Sequence, residues 1–334
     1  MLNEILLPLQ QHAYPASRKI SALRVSFLFY YLMTKIPYPK QLIFFTDQIA
    51  LLKQRGLSFE NEAKALHLLQ NISYYRLSGY WYPLLADKQK HQFKPGSVFE
   101  SAYNIYKFDC ELRKLIVAEL EKIEVAVRTQ IAYILSSQYD GYWFTNASYF
   151  KNPERHIKIL AKINEEYQRS DEEFVTAFKM KYSDPFPPSW ITMEITSFGT
   201  LSILYNNLLP GKVKRDIAMY FGLPDTVFAS WLHSIVYIRN ICAHHCRLWN
   251  RTLSIRPLIP RSPRKPFVTI PTNNIPQIYS ILSMVIYLLN IINPNHSFVT
   301  KFKELLERYP SIDVRAMGFP IGWENERLWQ VAFI

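Results

Sequence analysis

The sequence predicts an all-α fold, and two observations support this prediction. Apolar residues recur at three- and four-residue spacing over long stretches of the 334-residue chain, which is the periodicity of one helix face. Glycine is scarce at 9 residues, which disfavours β-rich folds and folds built on glycine loops. Because 49% of the residues are apolar and 15% are aromatic, the chain can fill a substantial core, as one large domain or two ordinary ones.

Residues 1–36 are interpreted as an N-terminal extension. Arg18, Lys19 and Arg24 precede the apolar run VSFLFYYLM and so imitate a signal peptide, but the run begins late and lacks a small-residue cleavage site. It is also far shorter than the ~20 residues of a membrane span. The stretch MTKIPYPKQLIFFTDQIALLKQRGL, which opens at Met33, resembles how members of a known bacterial family begin, and a start of the functional protein at Met33 is the hypothesis that this resemblance implies.

Two helices and an aromatic segment come next. Thr46 is placed to cap a helix over Asp47–Gln54, and Phe59–Asn71 has the pattern of a second amphipathic helix. The following segment, Tyr74–Tyr82, is dense in aromatic residues. It is either a platform on which nucleic-acid bases stack or a corner of the core where rings pack, and the absence of strand signals favours the core.

Val98–Tyr139 gives the longest helical signal in the chain. Its apolar stripe consists of Leu112, Leu115, Ile116, Leu120, Ile123, Val127 and Ile131. Most charged residues on the other side are expected to form an ordinary solvated face, with Glu124 and Arg128 as an i,i+4 pair. They are Asp109, Glu111, Arg113, Glu119, Glu121, Glu124 and Arg128.

Shorter helices are predicted between this helix and the centre of the chain. They cover Pro153–Gln168, Glu172–Lys181, Ser189–Leu208 with an interruption at Gly199, and Lys212–Tyr220.

The stretch WLHSIVYIRNICAHHCRLWNR, Trp231–Arg251, is predicted to lie in one helix that begins at Pro224, because neither Gly nor Pro interrupts it. At ~100° per residue, Asn240 and His244 form an i,i+4 pair on one face, and the long side chain of Arg239 can swing toward the imidazole. A guanidinium binds phosphate through two hydrogen bonds, and histidine titrates near neutral pH. These residues are therefore a candidate site for phosphate binding and proton transfer.

The charge distribution indicates a polyanionic partner. Basic residues exceed acidic ones by 39 − 27 = 12, and no Asp or Glu occurs from Thr226 to Lys303. An acid-free span creates a one-sided positive field, for which nucleic acid is favoured over the competing anionic membrane surface. The candidate RNA-binding residues are Arg247, Arg251, Arg256, Arg261, Arg264 and Lys265.

Proline residues after Arg256 predict a basic, extended connector. Two last helices are predicted over Asn274–Asn290 and Phe298–Arg308. Residues 257–334 are expected to pack on the same domain as residues 37–256.

Several kinds of chemistry are disfavoured. The chain has no Walker, Rossmann or His-Glu-x-x-His motif. Its three cysteines, Cys110, Cys242 and Cys246, do not make a disulfide scaffold, so a cytoplasmic location fits best. The potential ligands within Cys242–Cys246 would point around a helix and would not converge on one ion, so no metal is predicted, and no cofactor is expected.

Arg239–His244 resembles the R-x4-6-H signature of HEPN ribonucleases. Other blocks resemble the AbiD/AbiF abortive-infection family of bacteria, and the resemblance covers roughly Pro37 to Arg256. Because it runs straight across the proline-rich Asp184–Pro188 segment, that segment is interpreted as a loop. The blocks are YRLSGYWYPL (Tyr75–Leu84), Phe108–Ile131, SWITMEITSFGTLSILYNNL (Ser189–Leu208), YFGLP (Tyr220–Pro224) and RNICAHHCRLWNR.

The resemblance implies a HEPN-like helical bundle with additional N- and C-terminal helices. It also implies a metal-independent endoribonuclease in which the 2′-hydroxyl of the RNA attacks the adjacent phosphorus. His244 is then the candidate for proton transfer, Arg239 for stabilising the phosphorane, and Asn240 for holding the imidazole or a phosphate oxygen. Two further residues are supporting candidates. His245 has a mainly structural role, and Glu124 is an orienting partner of the site. One Arg–His pair supplies too few groups for both proton transfers, so a homodimer with a composite cleft is implied.

Other interpretations stay open. Arg239 and His244 could instead belong to a buried polar network between the central helix and the long helix. The protein could bind RNA without cutting it, and the resemblance also suggests that a small noncoding RNA restrains the toxin in some members. A membrane-acting effector would need an amphipathic or spanning segment, which is not found past residue 33.

Overall fold

The computed structural model describes residues 39, 41–269 and 277–330, and helices dominate this part of the chain. The all-α prediction is confirmed. Residues 1–36, the candidate start at Met33 and the predicted helix start at Asn274 lie outside the described residues. The helices are α1 (Phe45–Gln54), α2 (Glu62–Ile72), α3 (Tyr74–Trp81), α4 (Phe99–Gln138), α5 (Pro153–Arg169), α6 (Glu173–Lys181), α7 (Ser189–Ile195), α8 (Phe198–Asn207), α9 (Lys212–Tyr220), α10 (Asp225–Ala243), α11 (Ile278–Ile292) and α12 (Phe298–Arg308). A small antiparallel hairpin joins β1 (Leu85–Asp87) to β2 (Gln92–Phe93).

Helix α4 is the axis of the molecule. It is 40 residues long, and α3, α7, α9, α10, α11 and α12 all pack against it. The predicted helix over Val98–Tyr139 is confirmed, with Val98 as its N-cap and Tyr139 as its C-cap. The apolar stripe is buried except for Leu115, which is half-buried.

The expected solvated face of α4 is wrong at four charged positions. Asp109, Arg113, Glu119 and Arg128 are all buried. Helices pack around α4 on more than one side, so its polar residues also come to lie inside. Each of the four has a hydrogen-bonding partner, as burial of a charge requires.

The C-terminal helices share the core of α4. Helix α11 is buried from Ile278 to Leu289, and α12 is fixed to α4 by Glu111, which accepts hydrogen bonds from Arg308 and from the hydroxyl of Tyr309. No helix within the described ranges is long and apolar enough to cross a membrane.

Two predicted details in the shorter helices are wrong. Thr46 does not cap α1, which begins at Phe45 and has no side-chain cap. The break within Ser189–Leu208 falls at Thr196 and Ser197, not at Gly199. It falls there because the hydroxyl of Ser197 accepts from the amide of Thr200 at 3.3 Å and caps α8.

Candidate functional site

Helix α10 ends at Ala243, so the prediction of one helix through Arg251 is wrong beyond that residue. The amide of His245 donates to the carbonyl of Cys242 at 3.0 Å, and the amide of Cys246 donates to that of Ile241 at 2.9 Å. This pair of bonds is the Schellman arrangement that terminates helices, and it usually places a glycine in the left-handed position. Here His245 occupies that position with φ at 54°. We call His244–Arg247 the motif turn.

The side chains of the predicted catalytic motif are exposed. Arg239, Asn240, His244 and His245 all lie on the surface at the C-terminal end of α10. A guanidinium nitrogen of Arg239 donates to the side-chain oxygen of Asn240 over a long 3.4 Å. Because the residues are exposed, the interpretation of Arg239 and His244 as a buried network with the long helix is wrong.

A buried carboxylate lies directly beneath the motif turn. Asp109 of α4 is 0% exposed and accepts hydrogen bonds from the amide of Leu248 at 3.1 Å and from the amide of Trp249 at 2.7 Å. It also accepts from the hydroxyl of Tyr80 at 2.7 Å and pairs with Arg113. Burial raises the pKa of Asp109, and Arg113, Tyr80 and the two amides act in the opposite direction. We call Tyr80, Asp109 and Arg113 the Asp109 cluster.

The Asp109 cluster explains why the helix stops. The amides of Leu248 and Trp249 would donate to carbonyls one turn earlier if α10 continued. Asp109 captures both of them instead, which draws the chain away from the helix axis and toward α4. Sequence reasoning missed this residue because its spacing on α4 is that of a surface charge.

Two arginines connect the motif turn to α3. A guanidinium nitrogen of Arg76 donates to the carbonyl of His245 at 2.6 Å, and one of Arg247 donates to the carbonyl of Gly79 at 2.6 Å. Hydrogen bonds from a charged donor are stronger than neutral ones, so α3 holds the backbone of the turn firmly. Arg247, predicted to bind RNA, therefore also has a structural role.

The connector after the motif turn runs back along α10. Tyr237 contacts Ser254, the indole of Trp231 donates to the carbonyl of Leu258 at 2.7 Å, and the amide of Arg264 donates to the carbonyl of Gly222 at 3.3 Å. The connector is thus antiparallel to α10, whose length is about 27 Å at ~1.5 Å per residue.

The predicted RNA-binding residues are consequently spread along this length. Arg247 and Arg251 are half-buried near the motif turn, and Arg256 is exposed further along. The exposed Arg261, Arg264 and Lys265 follow toward the opposite end of α10, where Arg264 contacts Gly222.

Glu124 is not brought to the motif. It pairs with Arg128 at 2.8 Å, as predicted, and Arg128 also donates to the carbonyl of Thr196. Glu124 lies fifteen residues beyond Asp109, which is about 22 Å along α4. The residue that α4 does place beneath the motif turn is Asp109.

The cysteines have different surroundings. Cys242 is buried against α4, and burial raises the pKa of its thiol to about 12. Cys110 is half-buried and Cys246 is exposed. Among the described residues, no three His, Cys, Asp or Glu side chains are grouped as a metal ion would need.

Comparison with known protein families gives one match, to Abi-like protein, over residues 67–250. The chain belongs to this family. Its resemblance to an abortive-infection family is thereby confirmed, and the matched region contains α3, α4, the motif turn and the Asp109 cluster. Comparisons with curated proteins and with solved structures gave no match.

Proposed function

We propose that this Abi-like protein is a metal-independent endoribonuclease of the HEPN type that acts as a toxin in anti-phage abortive infection. The observation that carries the proposal is the exposed Arg239–His244 motif, fixed at a helix end by the buried Asp109 and by Arg76. Arg239 has no acidic partner among the described residues, and it lies beside the exposed His244. The two side chains supply phosphate binding and proton transfer at one place.

The chemistry follows from these two side chains. The RNA 2′-oxygen attacks the adjacent phosphorus, its proton passes to a base, and the departing 5′-oxygen takes up a proton. His244 performs one of these transfers, and Arg239 stabilises the charge on the phosphorane. A second copy of the chain supplies the other proton-transferring group, in a symmetric dimer whose two motifs face one cleft.

The test is cleavage of single-stranded RNA by the purified protein in the presence of EDTA. We expect activity to persist and the products to carry 2′,3′-cyclic phosphate ends. Arg239→Ala should weaken both RNA binding and cleavage, and Arg239→Lys should not restore them, because an ammonium lacks the two-pronged guanidinium geometry.

Arg155→Ala is the matched control, since Arg155 is an exposed arginine on α5. Its cleavage rate should equal that of the wild type. Wild-type protein that binds RNA and leaves it intact would contradict the nuclease proposal.

A second candidate function is RNA binding without cleavage. It is favoured by the exposed Arg261, Arg264 and Lys265, whose connector carries them away from the motif along α10. These cations form a surface on which a regulatory RNA, such as a small noncoding RNA, would bind. In that case affinity falls steeply with salt and does not depend on His244.

A further inference from the structure

A groove of about 620 Å³ lies between α1, α3 and the β1–β2 hairpin. Its walls are rich in aromatic rings, contributed by Phe45, Tyr74, Tyr75, Trp81, Tyr82 and Phe93. Trp81 is buried, whereas Tyr75 is 88% exposed and Tyr82 is 47% exposed. The aromatic segment that the sequence singles out is therefore part core and part accessible surface.

The polar groups in this groove suit a ligand with negative charge and hydrogen-bond donors. Its lining contains Arg55, which donates to the hydroxyl of Tyr74 at 2.8 Å, and among the described residues it contains no aspartate or glutamate. The side-chain oxygen of Gln48, which also lines the groove, is buried and has no donor among the described residues. A buried acceptor without a partner is costly, and a bound N–H group would satisfy it.

The groove adjoins the motif turn. Tyr75 and Ser78 of α3 line the groove, and the next residue after each, Arg76 and Gly79, contacts the turn. The groove and the turn thus lie on two flanks of one helix, separated by about its diameter of ~10 Å. A short stretch of extended single strand spans such a distance.

We propose that this groove binds an unpaired base of a single-stranded RNA whose backbone continues to the motif turn. Rings offer every base a stacking face, and Gln48 accepts from a base N–H. A base held inside a helical duplex cannot enter the groove, so the substrate class is unpaired RNA. The assignment of this RNA as a substrate rests on the proposed nuclease function, but the binding of the base does not.

The test measures base binding separately from cleavage. The probe is a short oligoribonucleotide with one 2-aminopurine, whose fluorescence falls when the base stacks on a ring. Binding is measured in the His244→Ala background, so that the probe stays intact. We expect quenching on binding, and Tyr75→Ala should remove the quenching and weaken affinity roughly 5- to 150-fold.

Two variants make the result specific. Tyr75→Phe keeps the ring and should restore quenching. Tyr133→Ala removes a tyrosine that is 70% exposed on α4 and should change nothing. Because Tyr75 is almost fully exposed, its substitution does not disturb the core.

The outcomes separate the two proposals. Quenching that depends on Tyr75, with no cleavage by the protein that retains His244, supports the groove and contradicts the nuclease. Cleavage of RNA without Tyr75-dependent quenching overturns the groove and leaves the nuclease standing. Equal affinity for a fully paired duplex of the same sequence also overturns the groove.

Discussion

Two polar regions lie one above the other at the C-terminal end of α10, and they differ in how their side chains are satisfied. The motif residues Arg239 and His244 are exposed, and Arg239 donates to the side-chain oxygen of Asn240 over a long 3.4 Å. The Asp109 cluster is buried, and its carboxylate accepts from two amides, a hydroxyl and a guanidinium. The difference teaches that buried polar groups shape this end of the molecule, while the surface groups stay accessible to solvent.

The largest expected effect is on the exposed region. His244→Ala should lower the rate of RNA cleavage by ~10²–10⁴-fold, because it removes the proton-transferring group. RNA affinity and thermal stability should stay close to wild type, since the imidazole is exposed. Single-turnover cleavage, a binding titration and a melting curve measure the three quantities.

His233→Ala is the control, because His233 is an exposed histidine on α10, the helix that precedes the motif turn. It should leave all three quantities unchanged. A variant at His244 that folds, binds RNA and still cuts would mean that His244 is not catalytic.

The next effect concerns the buried region. Asp109→Asn leaves Arg113 buried without its charged partner, which should lower the free energy of unfolding by about 3–5 kcal/mol. Urea denaturation measures this loss. Cleavage should also fall in the folded fraction, because the amides of Leu248 and Trp249, which follow the turn that carries His244, lose their charged acceptor.

Asp171→Asn tests whether the loss of any acidic residue would lower the free energy of unfolding by a similar amount. Asp171 is exposed, so its substitution should change stability by less than about 0.5 kcal/mol. Equal stability of the Asp109 and Asp171 variants would show that the cluster does not hold the turn.

The smallest effect is at the boundary between the two regions. His245 adopts φ of 54°, and a left-handed conformation costs a non-glycine residue roughly 1–2 kcal/mol. His245→Gly should therefore raise the free energy of unfolding by about 1 kcal/mol, after the greater freedom of glycine in the unfolded chain is subtracted. His245→Ala should bring no such gain, and differential scanning calorimetry compares the two. A loss of cleavage in both variants would assign the His245 side chain a direct role.

Local patterns were enough to predict most of the helices. Lys212–Tyr220 and Phe298–Arg308 agree with the structure at both ends, and the 40-residue helix was found within one residue at each end. These elements follow from side-chain periodicity and from breakers close by in sequence. The family and the location of Arg239 and Asn240 on a helix were also predictable from the sequence.

The termination of α10 was not predictable from local sequence. No Gly or Pro marks it, and the groups that hold the chain beyond the helix end, Asp109 and Arg76, lie more than 130 residues away in the chain. Helical spacing likewise cannot tell a surface charge from a buried one when helices pack around more than one face, which is why Asp109 was placed with the solvated residues.

These long-range contacts also form late in the synthesis of the chain. Asp109 and Arg76 leave the ribosome early, but the residues that they hold are 139 and 169 positions later. The turn that carries His244 acquires its support from Asp109 only when Leu248 and Trp249 have emerged and docked on α4. A nascent chain, or a product truncated before Leu248, therefore lacks the contacts with Asp109 that hold the chain beyond α10.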